Sequence, residues 1–174
     1  MADRTELRAG PERSSEGSAL SPPLTTSPRM VLFRAGGERF ALPLEAVREV
    51  VVPQLPFARV PRAAPAVRGA MNLRGRVVAV VELAPLLGLP ADLLEPAQGH
   101  VLILDRDRRG LGLLVASVLG VETLVTTAPP EARVPGGPAR CVAQMGGGAV
   151  TVLDAEALEA RAASLFQSPR DQIA

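Results

Sequence analysis

Two stretches of the chain recur in the same order, and this internal repeat constrains the fold more than any other feature. Residues 31–50 (VLFRAGGERFALPLEAVREV) align without a gap with residues 102–121 (LILDRDRRGLGLLVASVLGV). Residues 75–87 (GRVVAVVELAPLL) align with residues 147–159 (GGAVTVLDAEALE), at nearly the same offset along the chain. The shared order and offset favour a duplication over a chance match of apolar strands. The period is too long for a solenoid and predicts two similar small units.

Each repeat contains five short apolar segments separated by turn residues, a pattern typical of small β-sheets. A Gly36-Gly37 turn joins the first two segments, and a second hairpin turns at residues 72–75. Asp154 is a good N-cap residue and predicts a helix over about 155–165. In the first repeat the predicted strands are 30–34, 39–43, 47–52, a segment starting at Val67, and 76–82. In the second they are 100–105, 110–115, 118–125, 140–145 and 148–153.

The composition agrees with an all-β fold. Four Phe and no Trp or Tyr leave a core of Val, Leu, Ile and Ala, and the 16 Gly and 17 Pro favour turns. We therefore predict two packed five-stranded barrels with short helical turns and a short C-terminal helix. The expected folded domain is 29–165, with about 30–97 as the first barrel and 98–160 as the second. Residues 1–28, rich in Ser, Pro, Arg and Glu, are predicted to be a disordered arm, and 166–174 a flexible tail.

The residues do not assemble into a recognisable catalytic, metal or cofactor site. His100 is the only imidazole, and we interpret it as a strand-edge residue. Cys141 is interpreted as a buried or half-buried thiol, and the glycines 146–148 as a hairpin turn rather than a phosphate loop. Glu82 and Asp154 occupy matching positions before helical turns, where capping explains both. The sequence thus predicts a protein without enzymatic activity, metal or cofactor.

Charge and hydropathy limit the partners and the location. The formal net charge is +1, and aromatic residues for stacking on bases are scarce, which argues against nucleic acid. The N-terminus lacks a secretion signal, and the most apolar segment, 111–121, is shorter than the roughly 20 residues that span a bilayer. We expect a soluble cytoplasmic protein that does not insert into a membrane.

Surface residues remain as the candidates for function. Strict alternation along the third strand places Val47 and Glu49 on one face and Val50 on the other. Arg74 lies at the tip of the second hairpin. By residue type alone, a solvated turn arginine is the favoured interpretation, and pairing with Glu82 as an internal brace is a further structural alternative.

Four stretches of the chain resemble the CheW family of bacterial chemotaxis adaptors. They are FALPLEAVREVV, VRGAMNLRGRVVAVVELAPLLG, LGLLVASVLGVETL and GGGAVTVLDAEALE, and the resemblance covers residues 30 to about 162. The second stretch, with RG-x-x-NLRG before a valine-rich strand, is the most specific. The resemblance implies two SH3-like barrels around a shared apolar core. It also implies a cytoplasmic adaptor between the tips of membrane-bound chemoreceptors in arrays and the regulatory domain of a CheA-type histidine kinase.

The resemblance also implies roles for individual residues. The kinase-facing patch maps onto Val47, Glu49 and Val50, and the signalling turn onto Gly69, Asn72 and Arg74. A receptor-binding groove between the barrels would be lined by residues such as Leu111 and Leu113. Other CheW-like proteins are further expected partners in arrays. The sequence departs from many relatives at Ala116, where an acidic residue is common.

Three alternatives stay open on the sequence alone. The kinase regulatory domain has the same fold, although the chain shows no ATP-binding or phosphotransfer segment. A small β-barrel could instead bind nucleic acid, which the charge and the scarce aromatics disfavour. A small hydrolase that uses Cys141 is the third.

Overall fold

A computed structural model of the chain describes residues 27–93, 99–104, 110–124, 137–145 and 148–166. The predicted arm and tail lie outside the described residues, apart from residues 27–28 and Phe166. The all-β prediction is confirmed, because these residues form ten short strands with few helices. The strands are β1 Arg29–Ala35, β2 Glu38–Pro43, β3 Val47–Val51, β4 Val67–Leu73, β5 Arg76–Glu82, β6 His100–Leu104, β7 Leu111–Val115, β8 Ser117–Thr123, β9 Ala139–Met145 and β10 Gly148–Leu153.

In the part of the chain that the structure describes, three helical elements accompany the strands. A 3-10 turn, Leu44–Ala46, follows β2, and a single helical turn, α1 Leu83–Leu86, follows β5. The predicted C-terminal helix is confirmed as α2, Ala155–Ser164. At its start, the Asp154 carboxylate accepts a hydrogen bond of 3.1 Å from the Ala157 N–H, as an N-cap residue does.

The ten strands form two five-stranded sheets, which we name after the barrels they make. Barrel A has the strand order β8-β1-β2-β10-β9, and barrel B has the order β3-β6-β7-β5-β4. Each sheet therefore combines the first hairpin of one repeat with three strands of the other. The prediction that 30–97 and 98–160 each form their own barrel is wrong, and the halves are interleaved instead.

The physical reason is a pair of parallel ladders that join separate segments of the chain. Thr151 of β10 pairs with Phe40 of β2, and Ala79 of β5 pairs with Leu111 of β7. Local hydrophobic patterns specify each strand and each hairpin, but they do not specify which strand a hairpin will pair with. The repeat is nevertheless present in the structure. Strands β1 to β5 correspond in order to β6 to β10, and exchanging each strand for its counterpart turns the strand order of barrel A into that of barrel B.

The crossings between the barrels are short. The chain passes from β2 to β3 through the 3-10 turn, and from β7 to β8 through Ala116 alone. At this second crossing the Ala116 N–H donates a hydrogen bond of 2.9 Å to the Arg34 carbonyl. Ala116, the position at which many relatives have an acidic residue, thus stabilises the crossing through its backbone N–H, whatever its side chain.

Three apolar clusters of described residues hold the fold together. One lies inside barrel A and contains Leu32 and Ala41, and another lies inside barrel B and contains Val78 and Val80. The largest lies between the sheets, and strand alternation supplies it from the opposite face of the same strands, as with Phe33 of β1. Full burial of one such aliphatic or aromatic side chain contributes roughly 1.5–3 kcal/mol. The central cluster therefore joins the two barrels firmly.

Two buried carboxylates occupy equivalent positions in the repeats, and each pairs with an arginine at a strand irregularity. Arg68 interrupts the register of β4 and lies 3.5 Å from Glu82. Arg140 interrupts the register of β9 and donates a hydrogen bond of 2.8 Å to Asp154. Such irregularities redirect a side chain. Because both repeats contain the pair, we interpret it as part of the fold.

The pair in barrel A predicts a pH-dependent stability. Burial alone would raise the pKa of Asp154, but hydrogen bonds from the Ala157 N–H and Arg140, together with the Arg140 charge, hold it below its usual value. Its stabilisation is therefore complete above about pH 3.9, the ordinary aspartate pKa, and is lost as the pH falls through the lower folded pKa.

We expect Asp154→Ala to lower the free energy of unfolding by about 1–2 kcal/mol at pH 7, since a cap and a charge pair are lost. The deficit relative to the native chain should shrink in urea titrations below pH 4. Asp154→Asn keeps a cap acceptor and should lose less. A deficit that is the same at every pH would contradict the role of the charge.

Candidate protein-interaction surface

The second hairpin is built to present Arg74. The Asn72 side-chain oxygen accepts a hydrogen bond of 2.8 Å from the Gly75 N–H, which closes the turn. Arg74 and Gly75 both have positive φ, 52° and 82°, and the glycine adopts this conformation without steric cost. The Arg74 side chain is 77% exposed. The turn thus holds an arginine in solvent at the end of barrel B.

Arg74 pairs with Glu49 across the barrel. Its Nη2 lies 3.0 Å from the Glu49 Oε2. Glu49 lies on β3 and Arg74 directly follows β4, and these strands are the two edges of the sheet, so the ion pair links the edges of barrel B. The alternative pairing of Arg74 with Glu82 is wrong, because Glu82 contacts Arg68 instead.

A pocket opens beside this ion pair. Its floor is apolar and its rim carries three arginines and one carboxylate. The lining residues are Arg48, Glu49, Leu73, Arg74, Arg76, Val78, Ile103, Leu104 and Gly110. Sequence reasoning did not single out Arg48 or Arg76 as site residues, although Arg76 follows the turn directly and alternation places it near the hairpin tip. An arginine-rich rim over an apolar floor suits an acidic or amphipathic protein surface.

The internal repeat provides a control within the same molecule. The carboxylate–arginine pairs at Glu82 and Asp154 occur in both barrels, so the fold explains them. In the alignment of residues 31–50 with residues 102–121, the position equivalent to Glu49 is Gly120. Barrel A therefore forms without a counterpart of the Glu49–Arg74 pair. A polar feature that only one of two matching barrels contains is a better candidate for function than one that both contain.

The structure separates the three residues of the expected kinase-facing patch. Val50 is 39% exposed on the edge strand β3, and Val52, which follows the strand, is 60% exposed. Val47 is only 8% exposed and belongs to the central cluster, so its expected place on the surface is wrong. The cause is a register shift at Arg48. Val47 pairs with Leu104, whereas Glu49 pairs with Ile103, which places them on opposite faces.

The two leucines expected to line a groove are part of the core. Leu113 is fully buried, Leu111 is nearly so, and both belong to the central cluster. They lie on β7, the middle strand of barrel B, whose five residues are all buried. Leu113 therefore offers no surface to a partner, and Leu111 offers very little. The expected placement of both leucines in a groove is therefore wrong.

Gly69 is also structural. It is buried next to the register shift of β4 and has a φ of +141°. A Cβ atom at this position would lie 2.5 Å from the Ala58 carbonyl oxygen, closer than a methyl carbon approaches a non-bonded oxygen. The Ala58 and Ala70 backbones hydrogen-bond to each other here and hold the loop against β4.

We expect Gly69→Ala to destabilise the chain by about 1–3 kcal/mol, through backbone strain and displacement of the loop at Ala58. Gly37 also has a positive φ, but a Cβ there meets no atom within 4 Å. Gly37→Ala therefore measures the backbone strain without a steric clash, and it should lower the free energy of unfolding by less than Gly69→Ala does. Urea unfolding curves compare the two. Equal losses would show that the contact with Ala58 contributes nothing.

The remaining candidate residues do not form a site. His100 begins β6, where its Nδ1 is buried without a hydrogen-bond partner among the described residues. Cys141 is a free, half-buried thiol packed against the inner cluster of barrel A. Of the glycines 146–148, only Gly148 falls within the described residues, at the start of β10. In the described part of the chain, no three His, Cys, Asp or Glu side chains lie close enough together to hold a metal ion.

The described helices include none that is long and apolar enough to cross a membrane. The fold and the surface together define a class of protein: a pair of interleaved SH3-like barrels with an asymmetric, arginine-rich patch on one of them. The family model of the CheW-like domain matches residues 29–162. The chain belongs to this family.

Individual relatives agree with this assignment. The chain is 35% identical over 96 residues to the chemotaxis protein CheW of Rhizobium meliloti (strain 1021), covering 55% of this chain and 60% of that protein. It is 36% identical over 73 residues to the chemotaxis protein CheW of Thermotoga maritima, covering 42% and 47%. These matches span less than two thirds of either relative. The crystal structure of scaffolding protein TtCheW from Thermoanaerobacter tengcongensis has a TM-score of 0.62 at 20% identity, covering 74% of this chain and 84% of that one, and supports the fold.

Proposed function

We propose that the chain is a non-enzymatic adaptor of bacterial chemosensory signalling, which couples chemoreceptor tips to a CheA-type histidine kinase. The observation that supports this most is the Glu49–Arg74 pair, which barrel B contains and barrel A does not. The family membership and the names of the relatives, chemotaxis proteins and a scaffolding protein, supply the context. In this role the protein works in the cytoplasm beside membrane-bound receptor arrays, where other CheW-like proteins are further partners.

The geometry supports a kinase contact along β3. This strand is an edge of barrel B, and the structure pairs it only with β6 within the described residues. An unpaired edge offers backbone donors and acceptors to a partner strand. Val50 and Val52 add exposed apolar area, and Glu49 adds a charge that sets the partner's register. The regulatory domain of the kinase is the partner we assign to this edge.

The turn with Asn72 and Arg74 supports a second contact nearby. Arg74 uses one terminal nitrogen on Glu49 and remains largely exposed, so its guanidinium can bond to a partner while the ion pair is kept or exchanged. We assign this turn to the signalling contact with receptor or kinase. The nucleic-acid alternative is less well supported, because the pocket lining contains no aromatic side chain for stacking on bases.

Arg74→Glu tests the proposal directly. We expect the variant to retain its circular dichroism spectrum and its Tm, since an exposed ion pair contributes at most about 1 kcal/mol. In a reconstituted assay with receptor-containing vesicles and kinase, we expect receptor control of kinase activity to be lost.

Two further variants sharpen this test. Arg29→Glu reverses an exposed charge on barrel A and should couple normally. Glu49→Lys should first weaken binding of the kinase regulatory domain, because it reverses a charge beside the proposed contact. Normal coupling by Arg74→Glu would refute the assignment of the turn, and early melting would make Arg74 a structural brace.

A further inference from the structure

Barrel A carries two arginines in an arrangement that the proposed function does not use. Arg34 of β1 and Arg39 of β2 face each other directly across the antiparallel pair. Alternation places them on the same face as Leu32 and Ala41, which point into the inner cluster of barrel A. Both arginines lie beyond this cluster, next to the hairpin turn. They therefore stand at one open end of the barrel, which we call the mouth of barrel A.

This arrangement is unfavourable for the isolated protein. Like charges directly opposite each other on a sheet repel and destabilise it. Among the described residues, neither arginine has an ion pair, and the Nε of Arg39 is buried without an acceptor. The nearest acidic residue along the strand, Glu38, is exposed and alternates to the other face. A buried donor without an acceptor is rare in native proteins and calls for an explanation.

The repeat shows that the fold does not require these arginines. In the alignment of the two repeats, Arg34 falls on Asp105 and Arg39 falls on Gly110, and Gly110 lines the pocket beside Arg74. At the mouth of barrel A, a Cβ at Gly148 would lie 3.9 Å from the Arg39 Nη1, so the guanidinium extends toward the start of β10. Ser117, opposite Arg34 on β8, adds a hydroxyl on the same side.

We propose that the mouth of barrel A binds a carboxylate side chain from an acidic segment of a partner protein. A carboxylate accepts two parallel hydrogen bonds from one guanidinium, and here it would also neutralise the repulsion between two of them. The adjacent aromatic residues, Phe33 and Phe40, belong to the central cluster on the opposite face of these strands. The described part of the mouth therefore gives a nucleotide base no aromatic ring to stack on, and we assign the site to protein. The site lies on barrel A, whereas the Glu49–Arg74 pair lies on barrel B, and the site does not depend on the function proposed for that pair.

The test is a titration of the full chain with a hexaglutamate peptide, followed by NMR of the arginine Nε–H signals. We expect a saturable shift of the Arg39 signal. The shift should be absent with hexaglutamine, and affinity should fall at least tenfold in the variant Arg34→Gln with Arg39→Gln. The single variant Arg34→Gln, at an exposed position, covers the case in which the double variant does not fold. Arg29→Gln, at an exposed position away from the mouth, should bind as the native chain does.

A second measurement uses the protein without any ligand. If the two arginines repel each other, Arg34→Gln should raise the Tm of the free chain, whereas Arg29→Gln should not. A lower Tm for Arg34→Gln would overturn the repulsion argument. Peptide binding that leaves the Arg39 signal unmoved, or that survives in the double variant, would overturn the site. Inorganic phosphate that binds as tightly as hexaglutamate would show a general anion site and overturn the assignment to an acidic segment.

Discussion

Val80→Asp is expected to unfold the whole chain. Val80 has no exposed surface and lies in the inner cluster of barrel B. It pairs with Gly69 on one side and Gly112 on the other, so it sits in the middle of the sheet. A carboxyl group placed there has no partner, and its burial costs several kcal/mol, against a total stability of about 5–15 kcal/mol for a domain.

The same strand offers a matched control for this experiment. Val77, which lies earlier on β5, is 77% exposed, so Val77→Asp introduces the same group into solvent. We expect Val77→Asp to give a soluble protein with a cooperative melting transition close to that of the native chain. Val80→Asp should show neither property in circular dichroism. A cooperative transition for Val80→Asp near the native Tm would mean that this face of β5 is not in a barrel interior.

Separating the two repeats is expected to abolish folding of both. Barrel A needs β1 and β2 from the first repeat and β8, β9 and β10 from the second, and barrel B needs the complementary set. A fragment of residues 1–93 or 99–174 therefore contains incomplete sheets, whose open edges and uncovered apolar faces favour aggregation. Each fragment alone should lack a cooperative transition, and an equimolar mixture refolded together should regain the native spectrum.

The control for this experiment is the full chain cut once between Leu93 and Gly99 after folding. Every strand pairing remains possible in this nicked protein, so it should stay folded and keep both pieces associated. The contrasting expectation comes from tandem barrels, in which each repeat would be a complete unit. Cooperative melting of the isolated fragment 99–174 would support that arrangement and contradict the interleaved one.

Local features of the fold were predictable from the sequence because local chemistry determines them. The Gly36-Gly37 turn, the strand alternation and the Asp154 cap each depend on a few adjacent residues. The partner of each strand was not predictable, because it depends on parallel pairings between segments that are far apart in the chain. The position of Val47 was wrong for a related reason: one extra residue in β3 reverses the alternation, and nothing in the letters VREVV marks it.

The candidate site was predictable only in part. The sequence indicates both Glu49 and Arg74 as candidates, and the structure places their side chains 3.0 Å apart, a pairing that no sequence pattern predicts. The expected groove position of Leu111 and Leu113 is wrong because both faces of β7 are covered, which apolar composition does not reveal. The facing of Arg34 and Arg39 is predictable in principle, because the Gly-Gly turn between them implies that they oppose each other.

The two short crossings between the barrels have a mechanical consequence. The 3-10 turn after β2 and the single residue Ala116 after β7 tether the barrels at two separate points. Two short connections restrict the motion of one barrel relative to the other mainly to rotation about the line through both connections. The apolar cluster packed between the sheets opposes that rotation as well. We therefore expect the molecule to behave as a stiff strut rather than as a jointed arm. A force on one barrel would therefore displace the whole molecule as a rigid body and move a protein bound to the other barrel, with little deformation between the two.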